Sequence, residues 1–296
     1  MSSLGIIFQP SSPPERLRAA AVAAEEAGLD ELWVWEDCFK ESGIASLVAA
    51  LAATERLRVG VGILPMPLRN VALLAMELAT IDRLFPGRGR FGVGHGVQSW
   101  MGQTGTRVAS PLTLLREYVP ALRRLLAGDE VTASGRYVSL DRVRLDWPPA
   151  APTRILAAAE GPKTTALVGE VADGIVLTGG WSAGMVRDSV ARATRARADA
   201  GADGAFEVAV FLLADFGDGA HERMEAEFDR WRFTGERRYA AVGSVDDVAA
   251  TVRDVFAAGA TSVLLQSRMG DDDVEGFARN AGRVREVLGV SASSRP

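Results

Sequence analysis

The sequence predicts an α/β fold, a (β/α)8 barrel (TIM barrel) built as one domain. Three observations predict it. Short apolar runs alternate with longer helical stretches along the chain, and there are eight such runs. No Pro-, Gly- or Ser-rich linker divides the chain near its middle. The length, 296 residues, suits a barrel of roughly 250 residues with insertions. A doubly wound open sheet is the competing architecture, and the missing linker and the length weigh against it.

The elements follow in order. Leu4–Phe8 is the first strand, and a helix runs from Pro14 to Ala27 with Gly28 as its stop. Glu31–Trp35 is the second strand and Ile44–Thr54 the next helix. Leu57–Leu64 is the third strand, and Asn70 caps a long apolar helix that reaches Phe85. Arg90–Val93 is the fourth strand. After a glycine-rich loop, Ser110 and Pro111 open a helix that ends at Leu126. Val131–Asp146 breaks the rhythm with alternating residues around Ser134-Gly135, and reads as a hairpin inserted after this fourth helix. Strands at Arg154–Ala158, Gly174–Leu177, Phe206–Leu213 and Ser262–Gln266 complete the eight. Helices at Thr164–Ala172, Met185–Ala200, Ala220–Trp231, Asp246–Ala258 and Asp273–Leu288 separate and follow them, with an irregular arginine-rich stretch up to Val242. The barrel is expected over 1–290, with a frayed tail at 291–296.

Composition narrows the function. The net charge of −5 argues against broad nucleic-acid binding, which needs a basic surface. The single cysteine, Cys38, excludes an internal disulfide and a cysteine-cluster metal site. Two histidines, His95 and His221, make a histidine metal site improbable, so no metal is expected. No apolar run reaches membrane-spanning length and the start lacks a signal pattern, so a cytoplasmic protein is expected.

In such a barrel, function sits where strands end. Phe8 ends the first strand. Glu36 and Asp37 end the second, and two carboxylates there suit polar cofactor contacts or proton transfer, or else a helix cap or ion pair. Gly60 and Gly62 in the third strand mark a bulge or the close approach of another molecule. The fourth strand ends in Gly94-His95-Gly96, which lacks the GxGxxG dinucleotide spacing. Histidine is a residue type suited to proton transfer, so His95 is a candidate, though a lone histidine is often structural. Gln98, Trp100 and Met101 follow as pocket candidates. Glu160-Gly161-Pro162-Lys163-Thr164 runs from the fifth strand into a helix, whose free amides suit a phosphate. Thr178 and Gly179 end the sixth strand.

Together these stretches resemble the luciferase-like monooxygenase superfamily, and within it the deazaflavin-dependent branch of methylene-tetrahydromethanopterin reductases. The resemblance is carried by WVWEDCF (Trp33–Phe39), GVGILPMPLRN (Gly60–Asn70), ELATIDRLFPGRGRFGVGHG (Glu77–Gly96) and GPKTTALVGEVADGIVL (Gly161–Leu177). It implies a tricyclic cofactor, coenzyme F420 or alternatively FMN, lying across the barrel mouth. The ring would rest on the third-strand bulge, where the family often has a non-proline cis peptide matching Gly62-Ile63. The phosphate would sit on Gly161, Pro162, Lys163 and Thr164, helped by Thr178, Gly179 and Gly180. Phe8, Asp37, Gly94, His95, Gly96 and Glu160 complete the expected cofactor contacts. The expected chemistry is hydride transfer between F420 and a small organic substrate, with His95, Asp37 and Glu36 as candidate proton carriers. The Val131–Asp146 hairpin and the Thr234–Val242 segment are expected to shape the substrate pocket. With FMN it would be an oxygen-using monooxygenase. Cys38 and Val97 replace a histidine and a glutamate of the sugar-phosphate dehydrogenases in this branch, which argues against that substrate. A homodimer is expected, as is common among such proteins. Two other classes remain: a barrel that only binds a ligand, and a hydrolase with carboxylates ~5–10 Å apart, for which Glu36 and Glu160 would have to meet across the mouth.

Overall fold

The computed structural model describes residues 2–289. Its first half runs β1 (Ser3–Ile7), α1 (Leu17–Glu26), β2 (Glu31–Val34), α2 (Gly43–Ala52), β3 (Arg58–Pro65), α3 (Val71–Leu84), β4 (Gly89–Gly94), α4 (Gln98–Gln103) and α5 (Pro111–Leu126). A hairpin follows, β5 (Val131–Ser134) and β6 (Ser139–Val143). The second half runs β7 (Ile155–Ala158), α6 (Pro162–Val171), β8 (Gly174–Leu177), α7 (Ala183–Asp199), β9 (Glu207–Phe216), α8 (Ala220–Trp231), β10 (Ala241–Gly243), α9 (Val245–Ala257), β11 (Ser262–Gln266) and α10 (Val274–Leu288).

Eight parallel strands close into a barrel in the order β1-β2-β3-β4-β7-β8-β9-β11, and β11 pairs back to β1. Both faces of each strand are covered, which is why the strands read as continuous apolar runs. Alternate residues still take different neighbours. Ile7, Trp33, Leu156, Val176, Phe211 and Leu264 cluster inside the barrel. Ile6, Phe8, Leu32 and Val34 join the outer layer against the helices. Ser42, Asn70, Ser110, Ser182, Ser244 and Asp273 cap their helices with a side-chain oxygen, as short polar residues before an apolar run do.

The barrel floor, at the N-terminal ends of the strands, is ionic. Glu31 is fully buried. It accepts from Trp33 Nε1 at 2.6 Å and Ser3 Oγ at 2.9 Å, and it pairs with Arg58 at 2.9 Å. Arg90 and Arg154 both hold Glu207. Arg90 and Arg58 keep the Glu31 carboxyl below the usual range, against the upward push of burial.

Three features depart from the sequence reading. The loop after β4 contains the short helix α4. The arginine-rich stretch before Val242 ends in β10, which pairs with the far end of β9 at Ala214–Phe216. The hairpin was expected to shape the pocket, but it returns the chain from a helix to a strand and so lies at the N-terminal end of the barrel, away from the mouth. Glu117 of α5 ties it down, accepting from the amides of Arg136 at 2.9 Å and Tyr137 at 2.8 Å. The expected tail at 291–296 lies outside the described residues.

Candidate active site

The C-terminal ends of the strands enclose a cavity of about 400 Å³. β2 supplies Trp35, Glu36 and Asp37 at its end, and β3 supplies Gly62, Ile63 and Pro65. The loop after β4 gives His95, Gly96, Val97, Gln98 and Trp100. Ala158, Ala159 and Glu160 follow β7, with Thr178 and Gly179 after β8. Phe211, Leu213, Trp231, Phe233, Arg237 and Gln266 close the remaining wall.

The bulge in β3 is real. The pairing of β3 with β4 slips between Val61 and Leu64, and the Gly62-Ile63 peptide is cis. A second cis bond, Cys38-Phe39, lies at the end of the β2 loop. Gly62 is required by packing, because a Cβ there would stand 2.9 Å from the rings of Phe211 and Trp33. Ile63 fills the space above Gly94, where an added Cβ would collide with its Cδ1.

The two carboxylates after β2 divide. Glu36 accepts from Arg69 Nη2 and from the Gly43 amide, each at 2.8 Å. It anchors α2 and the segment after β3, so its oxygens are already occupied. Asp37 pairs with no arginine among the described residues, and burial pushes its carboxyl up against the opposing pull of the Trp35 hydrogen bond and the Lys40 charge. Nearby, burial raises Glu41 to about 6, with the Lys40 charge lowering it and Asp37 raising it. Burial also raises the Cys38 thiol, and the charges of Glu36 and Asp37 add to that. The thiol therefore stays protonated and is a poor acid.

His95 is exposed at the mouth, with Nδ1 2.7 Å from the Gly96 carbonyl oxygen. A carbonyl only accepts, so Nδ1 carries the hydrogen and Nε2 is left to take or give a proton.

Beyond Glu160 the chain enters α6. Gly161 is its N-cap and Pro162 its first residue, and no side chain caps it. The amides of Lys163 and Thr164 therefore face outward without an internal partner. A Cβ on Gly161 would meet nothing within 4 Å. The fold does not need a glycine there, whereas a ligand close to the backbone would.

The structure thus brings Glu36, Asp37, Gly62, Ile63, His95, Gly96, Glu160, Thr178 and Gly179 to one cavity, with Gly94 just below Ile63. Gly161, Pro162, Lys163 and Thr164 lie next to its lining rather than in it. Phe8 does not reach it. Its neighbour Ile7 points inward, so by strand alternation Phe8 faces the helices and is fully buried there. Met101, likewise fully buried, is also outside the lining, while Gln98 and Trp100 belong to it. Sequence reading passed over Phe211, Leu213, Trp231 and Phe233. The first two sit two apart on β9, and that parity was the available signal.

A closed parallel barrel with an apolar, glycine-bordered mouth defines a cofactor-scale binding site at the usual functional end of this fold. The sequence profile of the luciferase-like monooxygenase family matches residues 5–234, and the chain belongs to that family. The 5,10-methylenetetrahydromethanopterin reductase of Methanolobus tindarius is 31% identical over 176 residues, covering 59% of this chain and 53% of that protein. An F420-dependent glucose-6-phosphate dehydrogenase of Kineococcus radiotolerans is 31% identical over 194 residues, covering 62% and 58%. The chain therefore matches a little over half the length of these curated relatives. Among solved structures, an F420-dependent secondary alcohol dehydrogenase with an F420-acetone adduct has a TM-score of 0.86 at 20% identity, with 97% and 99% of the two chains covered. A monooxygenase from Streptomyces bottropensis has a TM-score of 0.79 at 23% identity, with 95% and 98% covered. These likenesses establish the fold.

Proposed function

We propose that this chain is an oxidoreductase that passes hydride between coenzyme F420 and a small organic substrate. The observation that carries the reading is the pairing of two backbone features at one mouth. One is the β3 bulge at Gly62-Ile63, which lines the cavity and can take a flat ring. The other is the uncapped, sterically open start of α6 at Gly161, which can take a phosphate. The F420-dependent relatives support the choice of cofactor. Bound F420 would supply the carbon that carries hydride.

The chain's own residues supply the rest. Gly62 and Ile63 support the ring, with Gly94 seating the Ile63 side chain and Gly96 bordering the cavity. Gly161, Pro162, Lys163 and Thr164 hold the phosphate, with Glu160, Thr178 and Gly179 bordering it. Trp35, Phe211 and Leu213 keep water from the reacting face. His95 Nε2 and Asp37, whose carboxyl burial pushes up, are the groups placed to move a proton. Glu36 positions Asp37 through its tie to Arg69. Because Glu36 is so committed, the paired-carboxylate hydrolase reading loses one of its two acids.

FMN is the second reading, supported by the family's monooxygenases. Parallel titrations of the protein with F420 and with FMN, read by quenching of cofactor fluorescence, separate the two. We expect F420 to bind tightly and FMN weakly. The reverse order moves the chemistry to oxygen, and binding of neither overturns the oxidoreductase reading.

We also infer a cytoplasmic homodimer. Among the described residues no helix is long and apolar enough to cross a membrane. Leu73, Met76 and Leu84 are 48%, 57% and 64% exposed on one side of α3, an apolar stripe suited to a second copy.

A further inference from the structure

One wall of the cavity carries a cation that the cofactor contacts proposed above do not include. Arg237, in the turn between α8 and β10, reaches into it. Its guanidinium lies over the ring of Phe233, with Cζ 4.6 Å from the centroid. Nη2 donates to the Gly179 carbonyl at 3.2 Å. Nε is buried and makes no hydrogen bond. Arg58, Arg69 and Arg223 each hold a carboxylate. Arg237 has none within ion-pair distance among the described residues.

The platform beneath it is fixed. Phe233 stacks on Trp231 with centroids 6.2 Å apart and planes 19° from parallel. The Trp231 indole N–H donates to buried Glu227 at 2.8 Å. Gly180, at φ +84°, leaves the space that Phe233 fills, since a Cβ there would stand 2.7 Å from the ring. A guanidinium facing an apolar cavity with unspent donors is unfavourable until an anion completes it. The cofactor phosphate already has the α6 amides and Lys163.

We propose that this wall is the substrate subsite and that it takes an organic carboxylate with a flat apolar body. The carboxylate meets the open edge of Arg237, and the body lies against Phe233 and the neighbouring Leu213. That the anion is the substrate rests on the oxidoreductase reading. That the wall binds an anion does not.

The test uses a matched pair of probes, benzoate and its neutral isostere benzamide, titrated calorimetrically into the purified protein. We expect benzoate to bind at least tenfold more tightly. R237Q should bring the two to near parity, and R237K should retain part of the preference, with melting temperatures held. R237Q should leave F420 affinity unchanged. Equal binding of the probes by the wild type overturns the proposal, as does a preference that survives R237Q. A fall in F420 affinity in R237Q assigns the charge to the cofactor's own anionic tail and overturns it equally. If the wild type binds neither F420 nor FMN but still prefers benzoate, the oxidoreductase reading falls and the anion site stands.

Discussion

Gly62 and Gly161 both border the proposed cofactor site, yet the protein needs only one of them for its own packing. A side chain at residue 62 would enter the barrel interior against Phe211 and Trp33. We expect Gly62→Val to lose about 1–3 kcal/mol of stability in a urea melt, so it reports packing before it reports cofactor binding. Gly161 has open space around it. Gly161→Ser should hold or slightly raise the melting temperature, because serine caps a helix well. The same hydroxyl would occupy an amide meant for phosphate, so F420 affinity should fall. Unchanged affinity would remove the α6 terminus from the site. Glu41 offers a second residue-scale test. Burial raises its carboxyl to about 6, so the protonated form is favoured in the folded state. Its stabilising share is present below its ordinary range near 4.5 and is lost as pH rises through about 6. The stability gap between Glu41→Gln and wild type should widen in the variant's favour from pH 4.5 to 6.5, then level at about 1 kcal/mol after allowance for partial exposure. A flat difference across that range would dismiss the shift.

At the scale of elements, periodicity and capping made most of the fold legible. Asn70 and Ser110 mark helix starts because their side chains answer free amides, and that rule is local. The β3 bulge was legible too, because glycines inside an apolar strand have few other reasons to be there. What failed was decided by distant partners. The parity of β1 depends on which of Ile7 and Phe8 faces the barrel axis, and both are large and apolar. β10 has three residues and exists only because β9 runs long enough to pair with it. The hairpin's distance from the mouth follows from connectivity, not composition. Glu36 and Asp37 are adjacent and alike in sequence, and Arg69, 33 residues from Glu36, marks Glu36 as the structural carboxylate of the two. The α3 stripe belongs to this scale as well. Leu73→Glu with Met76→Glu should halve the mass seen by analytical ultracentrifugation. A wild type already monomeric at micromolar concentration would dispose of the dimer.

The whole molecule separates its two ends. The floor is closed by charges that satisfy one another, and the mouth is apolar and open. Removing Glu31 would leave the buried Trp33 indole and Ser3 hydroxyl without their acceptor and the part-exposed Arg58 without its carboxylate. We expect Glu31→Ala to cost about 3–5 kcal/mol in denaturant, while the folded fraction binds cofactor as before. A matching loss of cofactor affinity would show the two ends to be coupled. The mouth carries a different consequence. Trp35, Trp100 and Trp231 line the cavity, and Trp33 lies beneath it, edge-on to Phe211 at 5.8 Å. Three of the six tryptophans thus line the space a guest would enter, and a fourth lies directly under it. The barrel carries its own optical reporter: its native ultraviolet emission should change whenever the mouth is filled, whatever fills it, so unlabelled compounds can be screened against the unmodified chain.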